Sequence, residues 1–176
     1  MRLVHEVRSV FVCPKEMKYI KLTKRLQALA DLISDKVSVA DIGTDHGHLP
    51  VYLAQTGTAR RIIASDISAA SLAAARRSAA DFDVSGAIVF ITAPGLEGIT
   101  SADVDTIVIA GLGGETILSI LENAPWTKNH KVTLILQPQS KIDLLCRFLY
   151  DNGYKIHQTK SVFDKRKYYS IILATG

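Results

Sequence analysis

The chain reads as an α/β protein: a seven-stranded, mostly parallel sheet with helices on both faces and an antiparallel hairpin at its end. Three observations predict this. Short apolar runs alternate with helical patterns from residue 22 to residue 151, the signature of a parallel sheet covered on both sides. The first two strands each end in a carboxylate, Asp41 and Asp66, at the place where open α/β sheets take ligands. The last two apolar runs flank the basic stretch Asp164-Lys-Arg-Lys167 with no helix between them, which makes them a hairpin.

The elements follow in order. Apolar residues at 22, 26, 29, 30, 32 and 33 recur at helical spacing and predict a helix over 22–33. Residues 37–42 are a strand that runs into the turn Gly43-Thr-Asp-His-Gly-His48. A helix over 49–55 carries Pro50 in its first turn, where a missing N–H costs nothing, and ends at Gly57. A second strand covers 61–66. Ser68 is a good N-cap for the alanine-rich helix over 69–80. Strands follow at 87–92 and 105–110, then the glycine turn 111–114 and a helix over 115–122 closed by Pro125. A fifth strand spans 132–137, and a helix over 141–151 stops at Asn152-Gly153. Strands over 154–162 and 168–173 form the hairpin.

Composition narrows the class. No apolar run approaches the roughly 20 residues of a membrane span. Glu6 and Arg8 interrupt any apolar signal region at the start. Residues 1–16 lack periodicity and are expected to be a flexible extension, with the folded domain over 17–176. Two cysteines, Cys13 and Cys146, are too few for a disulfide framework and point to a reducing cytoplasm. Cys146, inside a helical pattern, is expected to be a small buried apolar residue. The net charge of +4 hides an asymmetry. Residues 1–36 carry eight Lys/Arg against four Asp/Glu, residues 37–124 four against ten, and residues 125–176 nine against three. An acidic centre between basic ends suits an anionic partner held by the periphery and a cationic group handled in the middle.

Asp66 follows Gly43 by 23 residues, near the roughly 20-residue interval at which an acid meets a ribose. Together with Asp41 it favours a nucleoside-containing cofactor. The first turn, Asp41-Ile-Gly-Thr-Asp-His-Gly47, lacks the close glycine spacing that seats a pyrophosphate. S-adenosylmethionine (SAM) has no phosphate and carries a cationic sulfonium, which suits a turn supplying Asp41 and Asp45. A terminal antiparallel hairpin is the usual finish of SAM-dependent methyltransferases. Gly111-Leu-Gly-Gly114, read alone, also fits a dinucleotide fingerprint, so a nicotinamide enzyme stays open at this point. Asp45, His46 and His48 have no third spaced ligand or Cys cluster beside them, so no metal is expected. His46 is expected to orient the turn through hydrogen bonds, and His48 to cap the helix or face solvent.

Several pieces carry a resemblance: Leu22-Thr-Lys-Arg-Leu26, Ala40-Asp-Ile-Gly-Thr-Asp-His46 with Leu49-Pro50, Gly95-Leu-Glu97, Ile109-Ala-Gly-Leu-Gly-Gly114 and Leu134-Ile-Leu-Gln-Pro138. From about Lys21 to Gly176 the chain resembles the bacterial tRNA (adenine-N1)-methyltransferases of the TrmK type, which modify adenine 22. The resemblance implies a Rossmann-like class I SAM methyltransferase fold, SAM as cofactor and tRNA as partner; no membrane partner is expected, and the oligomeric state stays open between a monomer and a weak dimer. It implies that Asp41 and Gly43 form the first SAM motif, that Asp45 is the catalytic carboxylate and that Asp66 meets the ribose. Ile67, Gly95, Ala110, Gly111 and Arg25 are expected at the cofactor. Lys24, Gly113 and Gly114 are expected on the substrate side.

Three departures stand out. Pro94 occupies the place of an acid that faces the adenine amino group of SAM in the family, and proline offers neither a carboxylate nor an N–H. The family's A-G-M-G-G reads A-G-L-G-G. The helical coiled-coil domain that usually follows is absent from this sequence, which leaves a small-molecule acceptor or a non-catalytic RNA-binding remnant as alternatives. Lys165, Arg166 and Lys167, with Tyr168 and Tyr169, offer phosphate contacts and a stacking face, although one tyrosine of the pair is expected to pack inward.

Overall fold

The structure, a computed structural model, describes residues 18–176; the extension expected over 1–16, and Cys13 within it, lie outside the described residues. One sheet holds β1 (Val37–Ile42), β2 (Ala59–Asp66), β3 (Ile88–Thr92), β4 (Thr106–Leu112), β5 (Thr133–Pro138), β6 (Lys155–Asp164) and β7 (Lys167–Thr175). The strand order is β3-β2-β1-β4-β5-β7-β6. β1 to β5 run parallel, and β7 inserts antiparallel between β5 and β6. The helices are α1 (Lys24–Ala30), α2 (His48–Thr56), α3 (Ala69–Asp81), α4 (Gly114–Glu122) and α5 (Ile142–Asp151).

The central strands are apolar on both faces because both faces are covered. Ala40, Ile63, Ile107, Ile109, Leu134 and Leu136 pack with Ile117 and Leu121 of α4 and Leu145 and Leu149 of α5. The alternating residues Val39, Ile62, Ala64, Val108 and Ile135 pack with Leu29 of α1, Val51 and Leu53 of α2 and Ala79 of α3. α2 and α3 approach closely at Gly47, whose φ is +69° and where a Cβ would lie 2.8 Å from the Cβ of Ala75. Ser68 caps α3 as expected, accepting from the Ser71 N–H at 3.2 Å.

Some boundaries move. α1 is shorter than the helix expected over 22–33. Thr23, in extended backbone, caps it by accepting from the Leu26 N–H at 3.3 Å. Ile33 still packs in the core from the turn that follows. β4 runs on through Gly111 to Leu112, which pairs with Pro138 after a register irregularity. Cys146 is half-buried rather than buried, packed on the α4–α5 side, with its thiol pushed up by burial.

Candidate functional site

The chain winds outward in both directions from the junction of β1 and β4, the topological switch point of the sheet. A cavity of about 720 Å³ opens there, at the carboxyl ends of the strands. That size suits a small-molecule or cofactor site.

The turn after β1 forms one wall. Gly43 has φ +73°, and its N–H and that of Thr44 donate to the Ser65 carbonyl at 2.8 and 3.1 Å, tying the turn to the end of β2. Asp45 holds φ +51°, an uncommon conformation that Asp tolerates better than most residues. Its N–H donates to Asp66 Oδ2 at 3.1 Å, while the Ser68 N–H donates to Asp66 Oδ1 at 2.8 Å. The Asp66 carboxylate is thereby fixed in place. A carboxylate has about four lone-pair sites, so acceptor capacity remains toward the cavity.

The two acids of the turn differ sharply. Asp41 is only 6 % exposed, and its hydrogen-bond donor is the Thr44 hydroxyl at 2.7 Å. Burial pushes its carboxyl up to about 6, against the pull of the Thr44 hydrogen bond and the Arg25 charge and with a push from Asp66. The Asp45 side chain is 71 % exposed at the cavity mouth. His46 meets it at 3.7 Å, too long for a hydrogen bond, and stacks on His48 with ring centroids 5.8 Å apart. The hydrogen-bonding role expected of His46 is therefore corrected: the backbone amides of Gly43, Thr44 and Asp45 orient the turn. His48 is exposed on the first turn of α2. Burial first, then the neighbouring His46, lowers its pKa. Among the described residues no group of three or more His, Cys, Asp or Glu is placed to hold a metal ion.

Arg25 reaches the cavity from α1. Its Nη1 donates to Gln137 Oε1 at 2.8 Å, and the buried Gln137 returns its Nε2 to the Pro138 carbonyl at 2.8 Å. The guanidinium also lies 5.6 Å from the centroid of the Tyr169 ring. Asp164, at the tip of the β6–β7 hairpin, accepts from the Arg25 N–H at 3.1 Å. That bond holds the Asp164 carboxyl below its usual range. α1 and the hairpin are thus clasped together over one side of the cavity.

Asp41, Gly43, Asp45, Asp66 and Ile67 all line the cavity, as do Arg25, Gly95, Ala110, Gly111 and Lys165. Lys24, Gly113, Gly114, Arg166 and Lys167 do not. Gly114 is buried, and a Cβ there would lie 2.6 Å from the carbonyls of both Ser140 and Lys141. Its N–H donates to the Ser140 carbonyl at 2.9 Å. Gly114 packs between α4 and the loop after β5. Gly113 caps α4 with an ordinary φ of −66°. Sequence reasoning missed Thr44, Gln137, Gln139 and Ile120. Thr44 and Gln137 carried a signal, being the polar residues inside otherwise apolar or acidic motifs.

A mixed sheet in this order, with β7 reversed and carboxylates at the ends of β1 and β2 around one cavity, defines the Rossmann-like class I methyltransferase fold. Residues 22–172 match the family model described as a methyltransferase domain. The tRNA (adenine(22)-N(1))-methyltransferase of Bacillus subtilis is 33% identical over 158 residues, which cover 90% of this chain and 66% of that protein. The crystal structure of the B. subtilis m1A22 tRNA methyltransferase TrmK superposes with a TM-score of 0.84 at 32% identity, covering 89% of this chain and 67% of that one. A putative tRNA (m1A22) methyltransferase of Streptococcus pneumoniae, solved in complex with S-adenosyl-L-methionine, gives a TM-score of 0.82 at 30% identity, covering 89% and 73%. The chain belongs to the methyltransferase domain family, in the branch of the bacterial tRNA (adenine-N1)-methyltransferases of the TrmK type. It spans 66% of the length of its B. subtilis relative.

Proposed function

We propose that the chain is a SAM-dependent methyltransferase acting in the cytoplasm on N1 of adenine 22 in tRNA. One observation carries this reading. The end of β1 and the turn after it put a buried acid, Asp41, and an exposed acid, Asp45, on the same cavity, with Asp66 held by the Asp45 and Ser68 N–H groups. The donor set fits SAM: Asp66 has acceptor capacity for ribose hydroxyls, Asp41 matches an ammonium, and the Arg25 guanidinium matches a carboxylate. Ile67, Pro94 and Ile120 offer apolar faces to an adenine, so the missing acid at Pro94 is replaced by packing. The first turn lacks the close glycine spacing that seats a pyrophosphate, and Gly113 and Gly114 do not line the cavity, which supports SAM over a nicotinamide cofactor.

When bound, SAM supplies an electrophilic methyl group. Adenine N1 carries a lone pair at neutral pH, so no base is needed to create the nucleophile. The work left to the chain is alignment and charge stabilisation. The N1-methylated base is cationic until its N6 amine releases a proton. Asp45, exposed at the mouth and held by its backbone, stabilises that charge and accepts that proton. The N1 edge is paired or stacked in folded RNA, so the target base leaves its stack to enter. Lys24, Lys165, Arg166 and Lys167 hold phosphates around the mouth.

Asp45→Asn separates the roles, because Asn keeps the φ > 0 backbone while losing the charge. Expected is a fall in methyl transfer of roughly 10²-fold or more, with SAM affinity by calorimetry unchanged. Full turnover in this variant would remove Asp45 from the chemistry.

A further inference from the structure

Phe163 and Tyr168 face each other across the hairpin in a direct cross-strand pair, with ring centroids 4.9 Å apart and planes at 48°. Phe163 is 51% exposed and Tyr168 72% exposed. Alternation along the strands points them away from the face that carries Asp164 and Tyr169, which is the face that meets Arg25. Tyr169 is thus the tyrosine that packs inward, and Tyr168 is not.

Position makes the pair more than a cross-strand brace. Lys165, at the tip, lines the cavity. Phe163 stands two positions before it and Tyr168 three positions after it. Between the two rings in sequence lie Lys165, Arg166 and Lys167; Lys167 shares the face of Tyr169, with its Nζ 5.4 Å from that ring's centroid, which leaves Lys165 and Arg166 as the cations of the tip, and the one acid there, Asp164, is already engaged by the Arg25 N–H. The tip itself runs against local preference. Lys165 and Arg166 sit at φ +46° and +66° in a two-residue hairpin loop, where Asn-Gly is favoured. Two cations are kept at a conformational cost beside two exposed rings. An exposed π face next to a run of positive charge is the chemistry that takes an unpaired nucleotide: phosphates to the cations, base to the rings.

We infer that Phe163 and Tyr168 form a stacking platform for an unpaired base of the RNA substrate beside the cavity mouth. The inference rests on the tRNA reading above. The platform grips a nucleotide outside the reacting site and contributes to affinity and placement of the RNA, not to SAM binding.

Phe163→Val combined with Tyr168→Thr keeps strand-forming residues and removes both rings. Affinity for an unmodified tRNA transcript, followed by fluorescence anisotropy across a salt series, is expected to fall about tenfold at each salt concentration. The slope against log salt stays the same because no phosphate contact is lost. SAM affinity stays the same, and Tyr168→Phe alone keeps RNA affinity within about twofold. RNA affinity unchanged in the double variant would overturn the platform, as would a loss that Tyr168→Phe shares in full, since that would assign the effect to the hydroxyl. Conversion of a dimer to a monomer with RNA affinity retained would overturn it in favour of a contact between two copies. If the unaltered protein neither binds nor methylates tRNA, the tRNA reading itself fails and the platform with it; if it does both and the double variant matches it, the platform alone fails.

Discussion

At the level of single residues, the cofactor role proposed for Asp41 turns on its burial. Its carboxyl is raised to about 6 from an ordinary 3.8, chiefly by burial. A carboxyl raised on folding favours the folded state when protonated. Its stabilising contribution is therefore full below the unfolded value near 4 and is lost as pH rises through about 6. At pH 7 to 8 the unliganded protein holds an ionised acid in a buried place. Asp41→Asn is expected to raise unliganded stability there by on the order of 2 kcal/mol and to weaken SAM binding at least tenfold. In the unaltered protein, SAM affinity is expected to increase as pH rises through 6, because the ionised acid is the form that meets an ammonium. Thermal denaturation and calorimetry across pH 5 to 8 measure both; a destabilised Asn variant with intact SAM affinity would make Asp41 a purely structural residue. Asp41 and Asp66 were legible in the sequence because strand ends are visible as the last polar residue of an apolar run. The Arg25–Gln137 bond was not, since its partners stand 112 positions apart and only the sheet order brings β5 next to the site.

Among the elements, the β6–β7 hairpin does two jobs. Asp164 caps the start of α1, and the tip carries charge to the cavity rim. Its type of turn is the counterpart of the glycine turns elsewhere: the backbone demands φ > 0 and the sequence supplies cations. Replacing Lys165-Arg166 by Asn-Gly is expected to raise the melting temperature by a few degrees, since the turn residues then suit the turn. The same change is expected to lower the salt slope of RNA binding by roughly 1.5, the loss of two single-strand phosphate contacts. A rise in stability without a change in slope would separate the tip from the RNA. The glycine run after β4 shows how far a motif reading goes. Gly111, with φ +83°, lines the cavity, whereas Gly114 is small because two carbonyls of the next loop lie against it. Both read as glycine in sequence, and only packing tells them apart.

For the molecule as a whole, the sheet order explains the charge pattern. The acidic residues of 37–124 include the turns at the centre of the sheet. Of the basic residues toward the two ends, Arg25 of α1 lies against the hairpin that carries Lys165, Arg166 and Lys167. On the proposed reading, a cationic donor sits at this acidic centre and a polyanion meets the basic walls beside it. The alternation of strand and helix was readable because each central strand is apolar on both faces and each helix keeps its period. The clasp between α1 and the hairpin was hidden because its hydrogen bonds use backbone groups and residues 139 positions apart. The most direct measurement of the proposed activity is methyl transfer from labelled SAM to two tRNA transcripts that differ only at position 22, one with adenosine and one with guanosine. The expected result is about one methyl group per adenosine transcript, recovered as 1-methyladenosine, and none on the guanosine transcript. No incorporation into either transcript, or equal incorporation into both, would contradict it.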